Sequence, residues 1–333
     1  MANVESPAAL ITGGAGFIGS HLTERLLERD WTVSVLDDLS TGAIANLGAV
    51  AEHPRLRIHT GSVTDAAVVR QAASDANVIV HLAAAVGVQL IIDEPVRTIE
   101  TNIRGTECVL GAAISTGARV IVASTSEVYG KSVRYPFREV DDVVLGATDK
   151  SRWAYAATKM VDEFLCFANH QENGLHAIPV RLFNTVGARQ TGRYGMVIPR
   201  LVRQALRGDE LTVYGDGSQR RCFCDVRDVV RALVGLIEQA DPPVQTYNVG
   251  STEETTILGL AERVVAVTGG GSSIRLIPYD EAYPPGFEDM KRRIPDTTRI
   301  SDLLGWAPQF TLDQIVESVV DHEREVLTSG GPR

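Results

Sequence analysis

The chain has 333 residues, 44% of them hydrophobic and 22% charged, with a formal net charge of -10. That is enough for one large or two medium globular domains. The acidic balance argues against nonspecific binding to nucleic acid, while local arginines still permit an anionic small molecule. Cys108, Cys166, Cys222 and Cys224 match no zinc spacing and read as reduced thiols, so no metal is expected. No run is long and apolar enough to span a bilayer. Residues 1–7 lack the apolar core of a leader, so the expected location is the cytoplasm.

In chain order, residues 8–12 read as a strand and 18–29 as a helix. Apolar or β-branched runs at 32–36, 56–59, 78–82, 119–123 and 177–183 continue the series, with helical stretches between most of them. This alternation predicts an α/β fold with a doubly wound parallel sheet. Gly14-x-Gly16-x-x-Gly19 joins the first strand to the first helix. Such glycines allow a tight turn and close approach of backbone to a pyrophosphate. Gly13, Gly16, Phe17, Ile18 and Gly19 are therefore candidate cofactor contacts. Asp37, at the end of the second strand, can accept from ribose hydroxyls and would repel an added phosphate. Asp38 reinforces the repulsion, so the expected cofactor is NAD rather than NADP.

From Asn184 the chain becomes richer in arginine, glycine and proline, as around a site. Residues 225–239 read as an apolar helix. The expected division is a nucleotide-binding unit at 1–183, to which about 225–250 returns. A smaller substrate lobe would comprise 184–224 and 251–333. "ASTSEVYG", residues 123–130, places Thr125, Ser126 and Glu127 at the end of a buried strand, where such sheets present their ligands. "RWAYAATKMVDEF" then sets Tyr155 and Lys159 on one helical face. The lysine, with the positive ring of an oxidised nicotinamide, favours a phenolate able to take a proton from a sugar hydroxyl.

These features occur together with "HLAA" (81–84), "TNIRGT" (101–106), "RLFN" (181–184), "VYGDGSQRR" (213–221) and "LLGWAP" (303–308). The set resembles the extended short-chain dehydrogenase/reductase family, in its nucleotide-sugar epimerase, dehydratase and decarboxylase group. The resemblance implies a Rossmann domain with a smaller C-terminal α/β lobe. It makes Tyr155 the base, Lys159 its partner and Thr125 the hydroxyl at the sugar's O4. Asn184 and Arg221 would hold the diphosphate of a UDP-sugar, with Val213, Tyr214 and Arg293 alongside. Leu82, Ala83, Ala84 and Asn102 would flank the cofactor. Where the family often has an acid near the adenine, this chain offers Ser62 and the Val63 amide. The family often forms homodimers through helices that correspond to stretches at 109–113 and 160–167.

The reaction is less sharply marked. Thr-Ser-Glu resembles UDP-glucuronate decarboxylases and GDP-mannose dehydratases. The loop at 83–96 and the stretch at 181–200 look closer to epimerases. Arg189 and Arg193 offer cations for a C6 carboxylate, which is costly to bury unpaired. The expectation is a UDP-sugar 4-epimerase, with UDP-glucuronate preferred over UDP-glucose and Ser126 helping to hold the carboxylate. The alternatives are a UDP-glucuronate decarboxylase using Glu127 and Arg293, a 4,6-dehydratase, and a non-catalytic nucleotide-binding scaffold.

Overall fold

Runs of β-branched and aliphatic residues need burial on both faces, and a parallel sheet covered by helices supplies it. The computed structural model describes residues 6–86, 94–191, 196–283 and 288–328. Its sheet-forming half contains β1 (Ala8–Thr12), α1 (Phe17–Glu28), β2 (Thr32–Asp37), β3 (Leu56–Thr60), α2 (Ala66–Ala72) and β4 (Val78–His81). It continues with α3 (Pro95–Thr116), β5 (Arg119–Thr125), α4 (Ala154–Asn173) and β6 (Ala177–Leu182). A strand at Tyr247–Val249 returns from the later sequence to complete a 7-stranded parallel sheet. From that strand inward the order is β6, β5, β4, β1, β2, β3, so the order reverses between β4 and β1. Ligands bind outside the carboxyl ends of strands at such a reversal.

Register brings those ends together. Thr12 of β1 pairs with Leu36 of β2 and His81 of β4, while Thr125 of β5 pairs with Leu182 of β6. Ile11, Val33, Val35, Val80 and Ile121 pack with α1 and with the helix at Val226–Glu238 on one face. Leu10, Ile79, Val120 and Val122 pack with α3 and α4 on the other. The stretch at 109–113 mostly faces the sheet: Val109, Leu110, Ala112 and Ala113 are buried there. In the stretch at 160–167, Cys166 is buried, whereas Phe164 is 64% exposed.

A second apolar cluster gathers helices at Val197–Arg207, Ile257–Thr268 and Leu312–Thr328 around Leu201, Val202, Leu260, Val264 and Val316. Beside it, the strand at Arg220–Cys222 lies between Glu254–Thr256, antiparallel, and Arg292–Arg293, parallel. That register sets Arg221 opposite Arg293. Two guanidiniums placed side by side call for anions, and the site supplies some of them.

Candidate active site

The turn after β1 can exist only with glycine. Gly13 has φ +70°, and a Cβ there would lie 2.8 Å from the backbone nitrogen of Ala83. A Cβ on Gly19 would lie 2.1 Å from the carbonyl oxygen of Gly13. The start of α1 therefore presses against the turn, and its N-cap, Gly16, supplies no capping side chain. Amides at a helix start left without such caps suit a pyrophosphate. The turn borders a cleft of about 760 Å³ whose walls include Gly13, Gly16, Phe17, Ile18, Gly19, Asp37, Asp38, Ser62, Val63, Leu82, Ala83 and Ala84.

Asp37 is buried at the end of β2. Its Oδ2 accepts from the Ala15 amide at 3.0 Å and its Oδ1 from the Leu39 amide at 2.9 Å. Burial pushes its carboxyl above the usual range, and those amides partly offset the rise. Asp38 is exposed and accepts from Ser40. The glycine cradle and the acid at the rim fit a dinucleotide that carries a free ribose 2′-hydroxyl. Asp37→Asn should raise affinity for NADP relative to NAD by ~10-fold, the scale of one hydrogen bond to a charged group. Fluorescence titration with both cofactors reads the ratio, and an unchanged ratio would remove Asp37 from cofactor choice.

Asn102 does not line this cleft. It is buried, with Oδ1 accepting from the Ala85 amide at 2.8 Å and Nδ2 donating to the Ala85 carbonyl and to Thr158. Its amide is satisfied in clamping the strand-end loop against α4, so it shapes the cofactor wall without forming it.

Where β5 meets α4, the cleft wall gathers Thr125, Tyr155 and Lys159. Tyr155 is 7% exposed and borders both the large cleft and an adjoining cavity of about 220 Å³. Burial raises its phenol, as do Glu127 and Asp162, while Thr125 and Arg152 pull the other way. Thr125 lines the cleft, and its Oγ1 accepts from the Glu127 amide at 3.2 Å. Lys159 lines the same wall, with Nζ donating to Asp162 at 2.8 Å.

Glu127 sits in the smaller cavity between two guanidiniums. Arg152 Nη1 donates to its Oε2, and Arg293 Nη1 lies 3.4 Å from its Oε1. Burial alone would raise this carboxyl, but Arg152 and Arg293 outweigh it and hold it at about 2. Arg221 Nη2 donates to Asp289 at 2.8 Å. Burial, then the neighbouring Arg221, lowers the Arg293 guanidinium to about 10. The Nε atoms of Arg152 and Arg293 are buried without a hydrogen-bond partner. Arg152, Arg221 and Arg293 thus face Glu127 and Asp289 around a cavity whose wall also includes Arg200, with donor capacity in reserve. Asn184 and Tyr214 line it too, and Asn184 Nδ2 donates to the Cys222 carbonyl at 2.8 Å.

Several sequence expectations differ from this arrangement. Ser126 lines neither cavity; it is 1% exposed and its hydroxyl has no partner. Arg189 borders the cofactor cleft rather than the smaller cavity, and pairs with Glu24 at 2.6 Å. Its charge is therefore balanced from α1. Arg193 lies outside the described residues. Val213 is fully buried in the apolar cluster of the smaller lobe, with only Tyr214 reaching the cavity. Arg152, Asp162 and Asp289 were not foreseen. Arg152 stands three residues before Tyr155, and that spacing alone would have placed both on one face.

Among the described residues no group of potential ligands could hold a metal ion, and no helix is long and apolar enough to cross a membrane. A model of the NAD dependent epimerase/dehydratase family matches residues 9–250. The chain is 38% identical over 318 residues to a UDP-N-acetyl-alpha-D-glucosaminuronate decarboxylase of Bacillus cytotoxicus, covering 95% of this chain and 98% of that protein. It is 36% identical over 309 residues to UDP-glucuronic acid decarboxylase 5 of Arabidopsis thaliana, covering 91% and 85%. In structure it is similar to a UDP-glucuronic acid 4-epimerase mutant from Bacillus cereus in complex with UDP-4-deoxy-4-fluoro-glucuronic acid and NAD. There the TM-score is 0.85 at 25% identity, with 96% and 99% covered. The chain belongs to the NAD dependent epimerase/dehydratase family, as an enzyme of nucleotide-sugar chemistry whose cofactor is NAD.

Proposed function

We propose that this enzyme removes the C6 carboxylate of a UDP-linked hexuronate as CO2, by way of a 4-keto sugar. The observation that carries this reading is the Glu127–Arg152–Arg293 cluster in the cavity beside Tyr155. The names of both curated relatives, which describe decarboxylases of UDP-uronates, support it over the 4-epimerase expectation. That expectation also loses two supports, since Ser126 is walled off and Arg189 is paired with Glu24.

Bound NAD supplies the hydride acceptor for C4. Tyr155 takes the O4 proton, and the Thr125 hydroxyl beside it orients that oxygen. Oxidation at C4 makes the uronate a β-keto acid. The C5–C6 bond then breaks, CO2 leaves, and the electron pair passes through C5 to the C4 oxygen as an enolate. Tyr155, now carrying the proton it took, donates a hydrogen bond to that oxygen. Protonation at C5 gives the 4-keto pentose; the hydride then returns to C4 as Tyr155 gives its proton back to O4, which leaves a UDP-pentose and restores the base. Glu127 is held ionised, so it serves as an acceptor that orients a proton source toward C5 rather than as a resting acid. Arg293 and Arg152 offer the donors that a substrate carboxylate needs in a buried pocket.

Proton NMR time courses with UDP-glucuronate and UDP-N-acetylglucosaminuronate test the proposal. The expected result is stoichiometric CO2 release, with the single H5 signal replaced by a methylene pair. A galacto-configured uronate formed without CO2 would overturn it in favour of a 4-epimerase. A 4-keto-6-deoxy product would favour a dehydratase.

The enzyme is also proposed to pair as a homodimer through α3 and α4, which leave Ile99, Ile114, Phe164 and Phe167 exposed. Light scattering at micromolar concentration checks this, and a monomer there ends the idea.

A further inference from the structure

Lys159 and Asp162 are both buried, one turn apart on α4, with Nζ donating to Oδ2 at 2.8 Å. Their side chains are 3% and 0% exposed, so solvent does not screen the pair. The adjacent acid, Glu163, is occupied elsewhere: Arg181 grips both of its oxygens, at 2.9 and 2.7 Å, and Ser124 donates to one of them. Asp162 is thus the carboxylate that answers Lys159, on the same helix face as Tyr155. We propose that Asp162 is a positioning residue that sets the charge Tyr155 experiences, by holding the Lys159 ammonium in a buried ion pair and cancelling much of its field at the phenol. The proposal rests on the reading of Tyr155 as the base.

The surroundings contain little else that could do this. From β4, His81 lies 2.7 Å from the Thr12 hydroxyl and 3.2 Å from that of Thr106. Burial, then Lys159, lowers it to about 3, so it stays neutral. From α4 itself, the Cys166 thiol is pushed up by burial and remains protonated. From the turn after β5, Glu127 bears on Tyr155 but is balanced by Arg152 and Arg293. Burial raises Asp162 and Lys159 opposes the rise. An anion near the phenol opposes its ionisation, so removing that charge should favour the phenolate.

The test compares wild type with Asp162→Asn and Asp162→Ser. Two quantities are followed: the acid limb of kcat/KM, and the 13Cζ resonance of Tyr155 in the NAD-loaded protein, assigned through Tyr155→Phe. Both should move to lower pH by about one unit, a ~10-fold gain in phenolate at a given pH below the midpoint. A change under ~0.3 unit, or a shift upward, would overturn the proposal, since one pH unit is the coupling at stake. Should neither variant fold, the double variant Lys159→Met/Asp162→Leu removes the pair together, a replacement buried ion pairs often tolerate. If the two charges cancel in the wild type, its resonance midpoint stays within about half a unit; a rise above one unit refutes cancellation. The resonance does not depend on turnover. Failure of the base reading would show separately, as activity retained by Tyr155→Phe.

Discussion

Tyr155→Phe should lower kcat by ~100-fold or more while leaving the fold and NAD binding intact, the usual scale of general base catalysis. The substitution deletes one oxygen and nothing that packs. The ring stays between the two cavities, and α4 keeps its helical register. Lys159 keeps its ion pair with Asp162, so cofactor binding, read by fluorescence titration, should change little. In the proposed mechanism the oxygen acts when the O4 proton moves, not when the substrate docks, so the loss should fall on kcat. Retention of activity within ~10-fold would mean that another group takes the proton; among the ionisable side chains lining the smaller cavity, Glu127 would be the first to examine.

The second large effect is on stability. Arg152→Ala should destabilise the protein by about 3–5 kcal/mol, because it strips a buried carboxylate of its closest cation. Arg152 is 3% exposed, and after its removal only the longer contact to Arg293, at 3.4 Å, would pair Glu127 directly. Urea unfolding measures the loss. The double variant Arg152→Met/Glu127→Gln should recover most of it, since neither member of the pair then stands alone. Under the proposed reaction, in which both groups act on the uronate, it should not recover CO2 release. The pH dependence has a definite sign. Glu127 is depressed from an ordinary value near 4.5 to about 2, so its contribution is fully present above about pH 4.5. It is lost as pH falls from there toward 2. In Arg152→Ala this acid-side loss of stability should shrink. An unchanged urea midpoint across the single variant would mean the pair contributes nothing to the fold.

Most of the sheet was readable because each strand is a short apolar run ended by glycine or a polar residue. Residues 8–12 form β1 as expected, and β2, β3 and β6 differ from expectation by a residue at one end. The cradle and the places of Thr125, Tyr155 and Lys159 in the cleft wall were legible because each depends on local spacing, through a turn, a strand end and one helical turn. What was not legible depends on partners far along the chain. Arg189 looked free until Glu24, from α1, was found against it. Ser126 looked like a pocket residue because it sits between two that are, but a 3-10 turn at Ser126–Tyr129 rotates it inward. Arg152 went unnoticed because it lies in the turn before α4 and its partner, Glu127, comes from the end of another strand. The three-residue step from Arg152 to Tyr155 was there to be read, but the pairing with Glu127 spans 25 residues and leaves no periodic trace.

The strand at Tyr247–Val249 completes the sheet only after the chain has left it and come back. During synthesis β6 therefore waits, with one edge of hydrogen-bonding groups uncovered, while more than sixty further residues leave the ribosome. An open parallel edge is adhesive toward other nascent chains. Fragments ending before residue 247 should therefore associate and precipitate even though they contain the glycine cradle, Asp37, Tyr155 and Lys159. For the same reason the strand that closes the sheet is synthesised after Arg221 but before Arg293, so the pocket of guanidiniums is the last part of the enzyme to be assembled.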